Sequence, residues 1–180
     1  QILLNNFLSD LPSVAIASDR VDDDRLATAQ RWDAQDLRRY MLVFGLTSTV
    51  FDLLTFGLLL HVFHAGESLF QTAWFVVSLL TELVVVLVLR THNAAWASRP
   101  STLLWTTTVL VALVAVALPF IRPVAALFGL VPLPLALLGR MLLVVLGYAA
   151  ATEFAKRRYY LRPRRRRRAR PRSQQRRVKR

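Results

Sequence analysis

Long apolar runs leave this chain few folds to choose from. A helix needs about 20 mostly apolar residues to cross a hydrocarbon core, and four stretches are that long: Met41 to Val62, about Ala73 to Leu89, Thr102 to Phe120 and about Leu133 to Phe154. A fifth, Ile2 to Ala17, is apolar but shorter, as expected of a span that lacks its first turns. Leu, Val, Phe and Ala dominate, with none of the period-two alternation that a membrane barrel requires. The expectation is an all-α, polytopic transmembrane helix bundle with four complete spans and a partial first span. The chain begins at Gln1 inside an apolar segment, with no basic n-region and no small-residue cleavage site, so its start is not read as a secretory signal peptide and the chain reads as a fragment.

Charge then orients the spans. A net charge of +13 on a chain that is 54% hydrophobic looks contradictory until it is mapped. Of 24 Lys and Arg, 15 fall between Lys156 and Arg180. The connection from Ser18 to Arg39 carries five, His61 to Thr72 none, Arg90 to Ser101 two, and Ile121 to Pro132 one. Basic and non-basic connections alternate, and cytoplasmic loops are the ones rich in Lys and Arg. The first and third connections and the tail are therefore expected in the cytoplasm. Four units follow: a partial span at 1–17, a cytoplasmic connection with an interfacial helix at 18–39, four spans at 40–154, and a basic, disordered tail at 155–180. Arg140, inside the last span near its outer end, is expected to snorkel or to pair.

The chemistry is concentrated in the first segment, LLNNFLSDLPSVAIA. An ionisable side chain at membrane depth costs a few kcal/mol on insertion scales, so Asp10 needs a reason to be there. Asn6, Ser9 and Asp10 are spaced to share one helix face. Pro12 has no N–H for the carbonyl of Leu8, which leaves one more oxygen uncommitted. A carboxylate, an amide, a hydroxyl and a loose carbonyl make half a site for a hard cation, which takes oxygen ligands from several elements. The alternative is that Asp10 pairs with a basic or amide group elsewhere in the bundle.

These residues carry a resemblance. QILLNNFLSDLPSVAIASDRVD resembles the sixth membrane helix of P-type cation ATPases, most closely the bacterial magnesium-transporting class. The likeness continues through WDAQDLRRYMLVFG (Trp32 to Gly45), STVFDLLTFGLLL (Ser48 to Leu60), VFHAGESLFQTAWFV (Val62 to Val76) and the closing GYAAATEFAKRRYY, reaching about Leu161. It implies a ten-helix membrane domain, of which this chain holds the end of helix six and helices seven to ten. In related calcium pumps the sixth helix places Asn, Thr and Asp ligands at the spacing of Asn6, Ser9 and Asp10, and a carboxylate at about the place of Glu82 is a ligand. The metal-binding set implied here is therefore Asn6, Ser9, Asp10 and Glu82. Calcium pumps have a Gly between Asp and Leu-Pro, whereas Asp10 runs directly into Leu11 and Pro12, which leaves the ligand geometry open.

The phosphorylation motif Asp-Lys-Thr-Gly-Thr, the Gly-Asp-Gly hinge and any Gly-rich phosphate cradle are absent, so these 180 residues do not themselves hydrolyse ATP. The expected function is the C-terminal transmembrane part of a P-type ATPase moving a divalent cation, Mg²⁺ in the first place, across the bacterial plasma membrane. Its partners would be the N-terminal part of the same ATPase and the lipid bilayer. Mg²⁺ would be the transported ion and, in the parent enzyme, the companion of ATP. A reading of a different class is a free-standing small membrane protein acting as a structural or regulatory subunit, and an in-frame upstream phosphorylation motif separates the two.

The remaining candidates read as structural. Asp52 has hydroxyls nearby at Ser48 and Thr55 and reads as a packing carboxylate. Glu153 should pair with Lys156 and Arg157. His61, His64 and Glu67 lack a third strong ligand for a transition metal. The Asp19 to Asp24 cluster does not fit a calcium loop. The tail reads as a ligand for anionic lipid headgroups, at about 1 kcal/mol per basic residue near the surface, in preference to nucleic acid.

Overall fold

The computed structural model describes residues 1–19, 34–91 and 94–160. The proposed interfacial helix before Ala34, the acidic cluster beyond Asp19 and the basic tail beyond Tyr160 lie outside the described residues. Within them every regular element is helical. Helix α1 spans Ile2–Ala15 and ends in a 3₁₀ turn, Ile16–Ser18. Helix α2 spans Ala34–Gly57 and closes with a π turn, Leu58–Val62. Helices α3 (Glu67–Leu89) and α4 (Thr102–Ala117) follow. A short helix α5 (Arg122–Phe128) leads into the long α6 (Leu135–Tyr160). Four helical segments, Leu37–Val62, Glu67–Leu89, Thr102–Phe120 and Leu135–Tyr159, are long and apolar enough to cross a membrane. The chain is a multi-pass membrane protein.

The helices run past their apolar cores for local reasons. α3 starts at Glu67, six residues ahead of the expected Ala73, because Gly66 takes the extended N-cap conformation and Glu67 places a carboxylate in the first turn. α4 follows Pro100, and the Ser101 hydroxyl caps it by accepting from the Leu104 N–H at 3.2 Å. α5 ends at Gly129, whose φ of 65° is the left-handed conformation that closes a helix most cheaply with glycine. The Leu130 N–H reaches back to the Ala125 carbonyl at 2.8 Å. The helix at Arg122–Phe128 has no signature in the sequence, because seven residues carry too little periodicity.

α3 is the centre of the bundle. It packs against α6 on one side and against α1 and α4 on the other, while α2 rests on α6. Its buried side chains, including Ala73, Val76, Leu79 and Leu83, join Val111 and Ala115 of α4 and Leu137 and Met141 of α6 in one core. The outward faces of α2, α4 and α6 are apolar as well: Leu46, Leu110 and Leu143 are all more than half exposed. Apolar residues on both sides of a helix are the signature of a lipid-facing surface.

Two ion-pair knots tie the ends of α1, α3 and α6 together at one end of the bundle, called the basic end below. In the first, Arg90 at the end of α3 donates from Nη1 to Asp19 Oδ2 at 2.8 Å, with both side chains largely buried. Its Nη2 donates to the Ser98 carbonyl. Asp19 Oδ1 accepts from the Ser101 N–H at 2.7 Å, and the Ser18 and Ser101 hydroxyls are 3.1 Å apart. Asp19→Asn keeps an oxygen for the Ser101 N–H but gives up the ion pair, so the expected loss is that of one charged hydrogen bond, about 1.5–3 kcal/mol. A lowered thermal midpoint in detergent, with cleavage appearing first in the α3–α4 connection, is the result that checks it.

In the second knot Glu153 binds Lys156 at 2.8 Å and Arg157 at 3.1 Å, as expected from the sequence. Lys156 is 1% exposed and also donates to the Val88 carbonyl at 2.9 Å. Arg157 lies 4.5 Å over the Trp96 ring. At the opposite end, the Arg140 guanidinium sits 4.8 Å over the Phe63 ring, the pairing that lets it remain in a span.

Candidate cation site

α1 remains helical through Pro12, so the unwinding that a proline beside a carboxylate suggests does not occur. Packing explains this: Pro12 is buried in the seam and the helix is held on both sides of it. The 3.6-residue repeat then deals the polar residues of α1 onto two faces. Leu8, Ser9 and Pro12 are buried on the side packed against α3 and α4, whereas Asn6 and Asp10 lie on the exposed side.

The four residues singled out in the sequence are therefore distributed as follows. Asn6 and Asp10, four apart, share the exposed face. Ser9 is buried, and its hydroxyl donates to the Asn6 carbonyl at 3.1 Å within its own helix. Glu82, on α3, is exposed and accepts a hydrogen bond from Asn5 Nδ2 at 3.3 Å. The structure brings Glu82 to α1, but through Asn5 and not through Asn6, Ser9 or Asp10. Asn5 was missed because spacing from Asp10 selects Asn6 from the Asn5–Asn6 pair, and only packing against α3 gives Asn5 a partner. No group of three or more acidic or histidine side chains able to hold a metal occurs among the described residues. What this face offers a cation is one carboxylate, Asp10, beside one amide, Asn6, with a second carboxylate, Glu82, across the seam.

A family model described as "Cation transporting ATPase, C-terminus" matches residues 1–158. The chain belongs to this family. The matched residues take in the polar helix α1, nearly all of the four spans and both ion-pair knots. Within the cation-transporting ATPase C-terminus family, the chain is similar to the "Magnesium-transporting ATPase, P-type 1" of Escherichia coli K12, at 40% identity over 160 residues, which is 86% of this chain and 18% of that protein. It is 39% identical over 160 residues, the same shares of each, to the protein of that name in Salmonella typhimurium 14028s. A protein of the same name in Salmonella typhimurium LT2 is 34% identical over 163 residues, 88% of this chain and 18% of the relative. The chain spans about a fifth of the length of these relatives.

Proposed function

We propose that this chain is the C-terminal transmembrane part of a P-type ATPase that moves a divalent cation, Mg²⁺ in the first place, across the bacterial plasma membrane. The observation that carries the reading is the match over residues 1–158 to the cation-transporting ATPase C-terminus family, together with 40% identity over 160 residues to a magnesium-transporting ATPase. In this reading Asp10 supplies the charge, Asn6 and Glu82 supply further oxygens, and Ser9 orders the turn between Asn6 and Asp10 through its bond to the Asn6 carbonyl. Mg²⁺ dehydrates reluctantly and is commonly held by one or two carboxylates plus waters, which suits so sparse a set. ATP and its own Mg²⁺ belong to the N-terminal part of the same polypeptide, the chain's principal partner. Helices α2 to α6 support the moving helix α1, and the Asp19–Arg90 knot holds its far end.

The basic end faces the cytoplasm in this reading, and the basic tail lies against anionic headgroups there. The chain contains no cysteine, so single cysteines report its topology cleanly. His64→Cys is expected to react with a membrane-impermeant maleimide in intact cells. Ala97→Cys should react only after permeabilisation, and the reverse pattern would invert the topology. Function is tested by complementation: the full-length protein should restore growth at low Mg²⁺ to a bacterial strain lacking its own magnesium transporters. Failure to do so at an expression level where a known magnesium ATPase succeeds overturns the proposal.

A further inference from the structure

At the basic end an open cleft of about 380 Å³ lies in the seam between α3 and α6. One wall is α6, where Ala150, Phe154 and Arg157 line it, and the other is Val88 of α3 with Trp96 of the connection that follows. Positions 150, 154 and 157 fall on one face of α6, so the wall is graded. A methyl group stands at depth, a phenyl ring above it, and a guanidinium near the end of the span, about 10 Å from the first. The small side chain of Ala150 is what leaves the deep end open. Trp96 and Phe154 are 73% and 70% exposed. Two large rings so placed belong at a membrane interface, where lipid covers them. The charge of the second knot is uneven: Glu153 is shared by Lys156 and Arg157, so two cations meet one carboxylate. Lys156 is turned into the protein, and Arg157 is the cation on the cleft. Its Nε donates to Glu153 Oε1 at 3.1 Å, and its guanidinium stacks 4.5 Å over the Trp96 ring. These contacts fix the guanidinium plane while using one of its five N–H donors. Neither Nη group has an acceptor recorded among the described residues. A held donor fork at headgroup depth, above an apolar slot, matches a phosphate that carries an acyl chain.

We propose that this cleft holds one anionic phospholipid, its phosphodiester on the Arg157 Nη groups and its first methylenes along Phe154 and Ala150. The surplus positive charge of the knot selects a lipid of one net negative charge over a zwitterionic one. A fixed seat between two helices also differs from the diffuse attraction of a basic tail to headgroups. The site requires only that the chain spans a membrane, so it stands apart from the transport reading. The full-length protein in detergent is titrated with phosphatidylglycerol brominated on its acyl chains, which quenches nearby indole fluorescence. The Trp96 contribution is isolated by subtracting the signal of Trp96→Phe. Saturable quenching of Trp96 is expected, and brominated phosphatidylcholine should need about fivefold more lipid, as for one charge at a membrane surface. Arg157→Gln should raise the half-saturating phosphatidylglycerol concentration about tenfold, the equivalent of one lost hydrogen bond to a charged group. Arg158→Gln removes the same charge from an exposed position about 100° round α6 and should leave half-saturation unchanged. Ala150→Leu fills the slot, keeps the guanidinium, and should also raise it. Unsaturable quenching, equal half-saturation for the two lipids, or equal shifts in Arg157→Gln and Arg158→Gln overturns the proposal. Displacement of the lipid by an equal concentration of inorganic phosphate would likewise overturn it, by assigning the cleft to free phosphate. If Arg157→Gln does not fold, Ala150→Leu decides the matter, an unchanged half-saturation counting against the site.

Discussion

Asp10→Asn in the full-length protein is expected to lower cation-stimulated ATP turnover by about a hundredfold or more while leaving insertion and folding intact. The two halves of that expectation have a common cause. A carboxylate in a membrane helix costs about 2.5–3.5 kcal/mol on insertion scales, and no side-chain partner of Asp10 is recorded among the described residues to offset it. Neutralising it therefore relieves a cost, and the thermal midpoint should stay level or rise. What is lost, in the proposed transport reading, is the charge assigned to binding the divalent ion. A charge-assisted contact is roughly twice as strong as a neutral one, and a hundredfold corresponds to about 2.7 kcal/mol. Asn6→Ala should follow the same direction with a smaller loss, because it removes a neutral ligand. If Asp10→Asn instead unfolds the protein, Asp10 is a packing carboxylate.

The largest stability effect is expected at the second knot, and it should be asymmetric. Glu153→Leu removes the common partner of two cations. Arg157 is 48% exposed and turns to solvent or to the Trp96 ring, but Lys156 is 1% exposed and loses its carboxylate at 2.8 Å while staying buried beside the Val88 carbonyl. Removing one partner of a buried pair costs about 3–5 kcal/mol because the other charge loses its counter-ion. Lys156→Met is expected to cost less, about 1–3 kcal/mol. Glu153 then keeps Arg157 at 3.1 Å and the Ala95 N–H at 3.4 Å, and the Val88 carbonyl loses its added donor. The double variant Glu153→Leu with Lys156→Met should recover much of the stability lost in Glu153→Leu. Thermal unfolding of the four proteins in one detergent gives the cycle. Equal losses in the two single variants, with simple additivity in the double, would mean the pair contributes nothing by being buried.

Much of the architecture was legible because the membrane makes composition nearly sufficient. The run Thr102 to Phe120 had to be a span: its backbone polar groups cannot be satisfied in lipid except within a helix. Boundaries were less legible, as at Glu67, where capping and the helix dipole extend α3 beyond its apolar core. Pairing was legible only when local. Glu153 with Lys156 and Arg157, three and four residues apart, could be read from spacing. Asp19 with Arg90 could not, since seventy-one positions separate them and Arg90 had registered only as a basic loop residue. The candidate site shows the same limit. Periodicity from Asp10 finds Asn6 and Ser9, but whether a face is open or buried depends on where α3 and α4 sit. That is why Ser9 is found in the seam and Asn5, not Asn6, reaches Glu82.

The most direct test of the transport reading is flux. The full-length protein is reconstituted into sealed vesicles enclosing a fluorescent Mg²⁺ indicator, and the signal is followed on adding ATP to one side. The expected result is a change in enclosed Mg²⁺ that requires ATP in the wild-type protein and is absent in Asp10→Asn at equal incorporation. Flux that persists in Asp10→Asn, or that proceeds at the same rate without ATP, would contradict the account of α1 as the cation-carrying helix of an ATP-driven pump.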